Sequence, residues 1–211
     1  MRGFSRVTVC LLFISLLTSC AYEIAGGPDH LSIAAPRAEK PLRLVVGLSG
    51  TVEILPNAAP LLLDGEFQEL KALFAQRLQG FALFQKVLYP VVSHDHTDLS
   101  LRVFLQIQFE RDWTEIPKIL LTQLLFGLPA TLFHVEHHFV AKGDLEIMHR
   151  DQIVKKYTAS SDVIIRREMF AIPPRMVWQQ AASRARDSMM ADLLHQLDED
   201  RGLLSQFETG L

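Results

Sequence analysis

The residues of this 211-residue chain best suited to chemistry are its histidines, two cysteines and a few carboxylate groupings. Among the eight histidines are two clusters, His94-Asp95-His96 and His134-Val135-Glu136-His137-His138. Imidazole next to carboxylate is a metal-ligand combination. On a β-strand, His134, Glu136 and His138 would share a face and form half of a site. Neither cluster has the order of a zinc motif, since both His-Glu-x-x-His and His-x-x-Glu-His are missing. The expectation is therefore no metal and no other cofactor, with the histidines serving as polar loop residues or as a weakly pH-sensitive surface. Nucleophilic catalysis has less support. The nearest approach to Gly-x-Ser-x-Gly is Gly47-Leu48-Ser49-Gly50, which lacks the second spacing and falls within a strand pattern. Glycine-rich phosphate loops are missing, and Asp198-Glu199-Asp200 reads as a solvated helix end. The chain is expected not to be an enzyme.

The cysteines, Cys10 and Cys20, belong to a different kind of segment. Residues 1–20 combine basic Arg2 and Arg6, an apolar run from about Val7 to Leu17, and no acidic residue. The run is shorter than the roughly 20 apolar residues needed to cross a bilayer, which points to export rather than to a permanent span. Leu17-Thr18-Ser19-Cys20 resembles the lipobox of bacterial lipoproteins: an aliphatic residue, two small ones, then cysteine. The resemblance implies that residues 1–19 are a signal peptide and that Cys20 is alkylated by diacylglycerol and becomes the acylated N-terminus, a palmitate-type covalent lipid. Ser19-Cys20-Ala21 also passes as an ordinary small-x-small cleavage site, the competing reading. Cys10 would leave with the signal, so the mature chain could form no internal disulfide. In the lipoproteins of Gram-negative bacteria an aspartate after the cysteine favours inner-membrane retention. Ala21 stands there in this chain, which implies the outer membrane, facing the periplasm.

Loss of Arg2 and Arg6 takes 21 basic residues to 19 against 24 acidic ones, a formal charge of −5. The remaining Lys and Arg are scattered among carboxylates, so nucleic acid is not an expected partner. About 190 residues suffice for one domain with its own core.

The elements that must position these groups follow from periodicity. Residues 20–40, rich in Gly, Pro and small residues, read as a lipidated N-terminus and flexible tether. A first strand runs from Leu42 to about Glu53, with Leu42, Leu44, Val46 and Leu48 on one face. A helix follows, with Asp64 as candidate cap and Phe67, Leu70, Phe74, Leu78 and Phe81 as its stripe. After a short strand within Phe84–Val92, Leu99–Phe109 alternates apolar and polar throughout, the clearest strand pattern in the chain. Residues 138–148 and 152–165 read as a hairpin turning at His149-Arg150-Asp151. A last helix over about 175–198 carries Trp178, Ala182, Ala185, Met189, Leu193 and Leu197, and residues 199–211 read as a frayed tail.

These elements predict an α+β sandwich over 41–198: an antiparallel-rich mixed sheet with two helices packed on one face. The order of elements, with Phe84-Gln85-Lys86-Val87 and a polar loop containing Asp98 before the long alternating strand, resembles the periplasmic lipoproteins whose domain is like the N-terminal domain of TolB. Lipoproteins of curli export, exopolysaccharide export and peptidoglycan-synthase activation belong to that group. The resemblance implies a non-enzymatic envelope component that binds another envelope protein or itself. A small-ligand or metal-binding periplasmic protein using the histidine clusters is the alternative.

One segment has no place in this sandwich. Residues 119–133, ILLTQLLFGLPATLF, carry no formal charge, yet Gly127 and Pro129 interrupt them and they are too short to span a bilayer. They could be buried core, a segment dipping into the membrane, or a surface for a partner or second copy. If the hairpin turns at Arg150, this stretch and Met169–Pro173 emerge side by side at the sheet's other end. Leu124, Leu125, Phe126, Leu128, Leu132 and Phe170 are accordingly the candidate membrane or partner contacts.

Overall fold

The computed structural model describes residues 22–27, 40–54, 69–92, 96–111, 116–117, 120–121, 124, 134–168 and 173–208. Six strands form one sheet: β1 (Tyr22–Ala25), β2 (Leu42–Ile54), β3 (Phe84–Leu88), β4 (Leu99–Arg111), β5 (His134–His149) and β6 (Gln152–Glu168). Helix α1 (Leu70–Gly80) lies between β2 and β3 in sequence, and α2 (Arg175–Glu199) and α3 (Arg201–Ser205) follow β6. The spatial order is β1-β6-β5-β4-β2-β3. Strand β2 runs parallel to both β3 and β4, and the other pairings are antiparallel.

The alternation along each strand sets the layering. Pairing of Val46 with Leu99, Leu101 with Ile147, and Leu145 with Tyr157 aligns the apolar sets of β2, β4, β5 and β6 on a single face. That face is buried and the other is largely polar and solvent-facing. Helix α1 covers β2 and β3 while α2 covers β5 and β6. An Arg77–Asp187 ion pair of 2.8 Å ties the two helices together. The expected α+β layering, a mixed sheet with helices on one face, is observed, with α3 as a third, short helix beside the two expected. Leu70, Phe74, Leu78 and Phe81 on the first helix, and Ala182, Ala185, Met189, Leu193 and Leu197 on the second, are all buried as their spacing requires. The Asp64 cap and Phe67 lie outside the described residues.

Two glycines allow close approaches that a side chain would block. At Gly50, with φ of +152°, a Cβ would sit 1.9 Å from the carbonyl oxygen of Val103 on the neighbouring strand. Gly143 lies beneath α2, where a Cβ would come within 2.4 Å of the Met189 sulfur. The Gly47–Gly50 stretch is thus strand interior, and Ser49 hydrogen-bonds only weakly to the Leu101 carbonyl, at 3.5 Å. Asp98 pins the start of β4 to β2: its carboxylate accepts the Val45 N–H at 2.6 Å, and its own N–H donates to the Val45 carbonyl at 2.8 Å.

The boundaries depart from expectation at three places. Tyr22–Ala25, read as part of the tether, is instead an edge strand antiparallel to β6, with Tyr22 opposite Arg167 and Ala25 opposite Ile164. Ile24 packs against the core, and Gly26 and Gly27, with φ of +82° and +67°, turn the chain away from the edge. Residues 199–211, read as a frayed tail, include α3, whose Leu204 is fully buried and beyond which Phe207 packs on the core. The Arg43 backbone N–H donates to the Glu208 side-chain carboxylate and fastens that tail to β2. The hairpin is also longer than 138–165, spanning 134–168. It turns at Arg150 and Asp151, both with positive φ, the signature of a two-residue type I′ turn.

Candidate functional site

The sheet has two distinct ends. At one lie the Arg150-Asp151 turn, the starts of β2 and β4, and α3. Thr97, Asp98, Ser100, His149, Gln206 and Phe207 help to line a cleft of about 570 Å³ there. His149 Nδ1 lies 3.2 Å from the Asp98 carbonyl, and its ring packs on Phe207 at 5.2 Å. The cleft is half open to solvent, and His149, Phe207 and Asp98 in its wall also make contacts that close this end of the fold.

The other end gathers the residues singled out by sequence. His134 pairs with Glu168, so the entry to β5 and the exit from β6 are neighbours. Arg111, the last residue of β4, lies opposite His137. The connection between β4 and β5, residues 112–133, therefore leaves and re-enters the sheet at this end, beside the exit toward 169–172. Tyr22, opposite Arg167, brings the N-terminal chain to the same end. The side-by-side emergence expected from the hairpin geometry is thus present in the strand register.

Beneath this end is a rigid platform. His137 is buried on the helix-covered face, stacked on Phe109 at 5.7 Å and against Trp178 at 5.0 Å. Phe139 completes the group, 5.1 Å from Phe109 and 6.1 Å from Trp178. Trp178 Nε1 donates to the Pro173 carbonyl at 3.1 Å, which locates the start of α2 at the same end. Arg167 Nε donates to His137 Nε2 at 2.9 Å. A guanidinium can only donate, so this contact assigns Nε2 as acceptor and the ring proton to Nδ1.

His134, Glu136 and His138 do share a face, the solvent-facing one, as a strand requires, but two of the three are already engaged with β6. Glu136 Oε1 accepts from Arg166 at 2.8 and 2.9 Å, and Arg166 also lies 3.8 Å from Glu23 of β1. His138 Nδ1 is 2.9 Å from Asp162. His134 is exposed. Among the described residues there is no group of three or more His, Cys, Asp or Glu side chains arranged to hold a metal ion. Of the other cluster, His94 and Asp95 lie outside the described residues and His96 is exposed.

The connection that leaves the sheet at this end carries exposed apolar residues. Ile116, Pro117, Leu120, Leu121 and Leu124 have helical backbone. Leu120 and Leu121 are more than half exposed, and Leu124 is 84% exposed. For these three leucines burial in the core is excluded. Met176, in the first turn of α2, is 70% exposed, and Tyr22 is also exposed. Leu125, Phe126, Leu128, Leu132, Phe170 and Cys20 lie outside the described residues. No helix among the described residues is long and apolar enough to cross a membrane.

Sequence reasoning missed one pair of titratable groups on the helix-covered side. Tyr157 is buried, and desolvation followed by the nearby Asp200 carboxylate pushes its phenol well above the ordinary tyrosine value. Asp200 is held below the usual carboxylate range chiefly by Lys155, 2.9 Å away. On the open face, the bond to Asp144 at 2.8 Å raises Lys156. These contacts fasten β6 to α2 and to β5.

No protein-family model matches the chain, and no curated protein matches it in sequence. Its architecture is shared with a solved structure, a neuraminyllactose-binding hemagglutinin homolog from Helicobacter pylori. The TM-score is 0.52 at 11% identity, over 87% of this chain and 97% of that one. A DUF330 protein from Xanthomonas campestris gives a TM-score of 0.47 at 11% identity, over 81% and 94% of the two chains. A minor lipoprotein from Acinetobacter baumannii gives 0.35 at 14% identity, over 78% and 94%. At such identities the likeness to the Helicobacter protein is one of fold: an α+β domain built on a mixed sheet.

Proposed function

We propose that this chain is a bacterial envelope lipoprotein, held at the periplasmic face of the outer membrane by lipid on Cys20 and acting by binding rather than catalysis. The observation that carries the reading is Leu17-Thr18-Ser19-Cys20 at the end of a short basic and apolar leader, with a folded strand beginning only two residues later, at Tyr22. An anchor so close to the fold suits a domain that works at the membrane surface. The element order on which the resemblance to TolB-like lipoproteins rests supports a role as a subunit of an envelope assembly. In that role the apolar residues Leu124, Leu125, Phe126, Leu128, Leu132 and Phe170 supply the contact with membrane or partner.

The histidine-based alternative has no comparable support, because Glu136 and His138 spend their side chains on Arg166 and Asp162.

Metabolic labelling with palmitate tests the anchor. The wild-type protein should incorporate label and stay with the outer-membrane fraction, and Cys20→Ser should lose both properties. Undiminished labelling of Cys20→Ser would refute the assignment. Photo-crosslinking in intact cells from exposed positions of the domain away from the anchored end, such as Phe104 on the open face and Ile153 beside the hairpin turn, tests the binding role. A discrete adduct with an envelope protein is expected, and the lack of any adduct from every such position would contradict it.

A further inference from the structure

We infer that the end of the sheet carrying Tyr22, His134 and Glu168 faces the lipid bilayer that holds the Cys20 anchor, and that Leu120, Leu121, Leu124 and Met176 enter its interfacial layer. The inference rests on the lipid anchoring proposed above and adds an orientation and a second point of membrane contact.

Reach is the first argument. Twenty tether residues could hold a domain as much as about 70 Å from its anchor, but the two steps from Cys20 to Tyr22 span at most about 7 Å. Tyr22 is not free to move away. It is paired to Arg167, its neighbour Glu23 lies beside Arg166, and Ile24 is packed on the core. Acyl chains on Cys20 sit in hydrocarbon, so residue 20 lies at headgroup depth, and whatever surrounds Tyr22 at this end of the sheet is carried into or against the headgroups.

Composition is the second argument. The connection that leaves and re-enters the sheet at this end contains three leucines with more than half of their surface exposed, and α2 begins there with exposed Met176. Apolar side chains held in a headgroup layer partition toward the acyl boundary, as those of interfacial helices do. Tyr22 is exposed at the same end of the sheet, and an amphipathic ring suits that depth. The opposite end of the sheet, at the Arg150-Asp151 turn, also exposes Val92 and Ile153, but the strand from Glu168 to Gln152 would hold it about 50 Å farther out, beyond reach of the anchored membrane. A protein partner covering the same leucines would have to fit between them and a membrane held about 7 Å from the fold.

The test uses the lipidated mature protein, reconstituted into phosphatidylethanolamine/phosphatidylglycerol vesicles with or without bromine on the acyl chains. The Cys20 sulfur is alkylated, so Leu124→Cys supplies the single free thiol for a bimane label, and Gln152→Cys places the same label at the far end. Bromine should reduce emission from position 124 about twofold, as expected for a group within about 5–10 Å of the acyl boundary, and leave position 152 unchanged. If neither label responds while the protein floats with the vesicles, the anchor stands and the contact is overturned. Equal quenching at both positions means that the domain lies flat, which also overturns it. A label at 124 shielded from aqueous iodide but insensitive to bromine assigns the leucines to a second copy and overturns it as well. Protein that does not float with the vesicles refutes the anchor itself, and this orientation with it.

Discussion

His134, His137 and His138 are close in sequence but differ in the face of β5 to which they belong. Even-numbered His134 and His138 stand on the open face, whereas His137 is buried among Phe109, Phe139 and Trp178 with Arg167 donating to it. Read as a cluster they look like a metal half-site; on a strand the cluster divides. Gly50 is equally unremarkable in sequence, yet its Cβ position coincides with the Val103 carbonyl oxygen on β4. Because backbone would have to move, Gly50→Ala should destabilise the fold by about 3 kcal/mol or more, measurable as a lower urea midpoint. Tyr157 gives the domain a pH dependence. Its phenol is held above the ordinary tyrosine value by burial and then by Asp200, so the folded state keeps a proton that the unfolded chain loses. That stabilisation is complete below about pH 10 and declines as pH rises past it, by up to about 1.4 kcal/mol per pH unit. Tyr157→Phe should flatten this alkaline decline, and urea midpoints at about pH 8 and about pH 11 would show it. An unchanged slope would mean that another group carries the alkaline transition.

At the scale of elements, what could be read from sequence was whatever has a long period and one buried face. The alternation of β4 over Leu99–Arg111 and the stripe of α2 both hold in the structure, and truncating a stripe residue such as Leu193→Ala should cost about 2–5 kcal/mol. The first four residues of β5 escaped because His134-Val135-Glu136-His137 looks polar, although Val135 and His137 are both buried. Strand β1 escaped because Tyr22–Ala25 is only four residues long, borders Gly26-Gly27-Pro28, and is defined by pairing with β6, 140 or so residues away, rather than by any pattern of its own. Helix α3 was hidden for the same reason, since Leu204 and Phe207 acquire meaning only from the core they reach. The capture of β1 depends on the turn after it, where a Cβ at Gly26 would meet the Asp162 carbonyl at 2.8 Å with φ at +82°. Gly26→Val should therefore release β1, with amide exchange protection lost at Glu23–Ala25 and kept in β5. Retained protection in β1 would show that the edge strand does not need this turn.

At the scale of the whole molecule, the fold converts a short N-terminal spacing into an orientation. A sheet covered by helices on one face brings β1, the 112–133 connection and the start of α2 to one end, and the Arg150-Asp151 turn to the other. The lipobox-like Leu17–Cys20 and the charge-free stretch are separate features in the sequence, and strand register places the described residues that flank them, Tyr22, Arg111 and His134, at one end of the sheet. The residue roles drawn from sequence for Leu125, Phe126, Leu128, Leu132 and Phe170 belong to the same proposal, while Leu124 alone of that set has a described and exposed position. Everything at this scale depends on Cys20 being the mature N-terminus. Mass spectrometry of the protein purified from envelopes measures that directly. The account predicts a chain that begins at Cys20, lacks residues 1–19, and carries diacylglycerol on the sulfur with an acyl group on the amine. A chain beginning at Tyr22, or one retaining an unmodified Cys20, would contradict it.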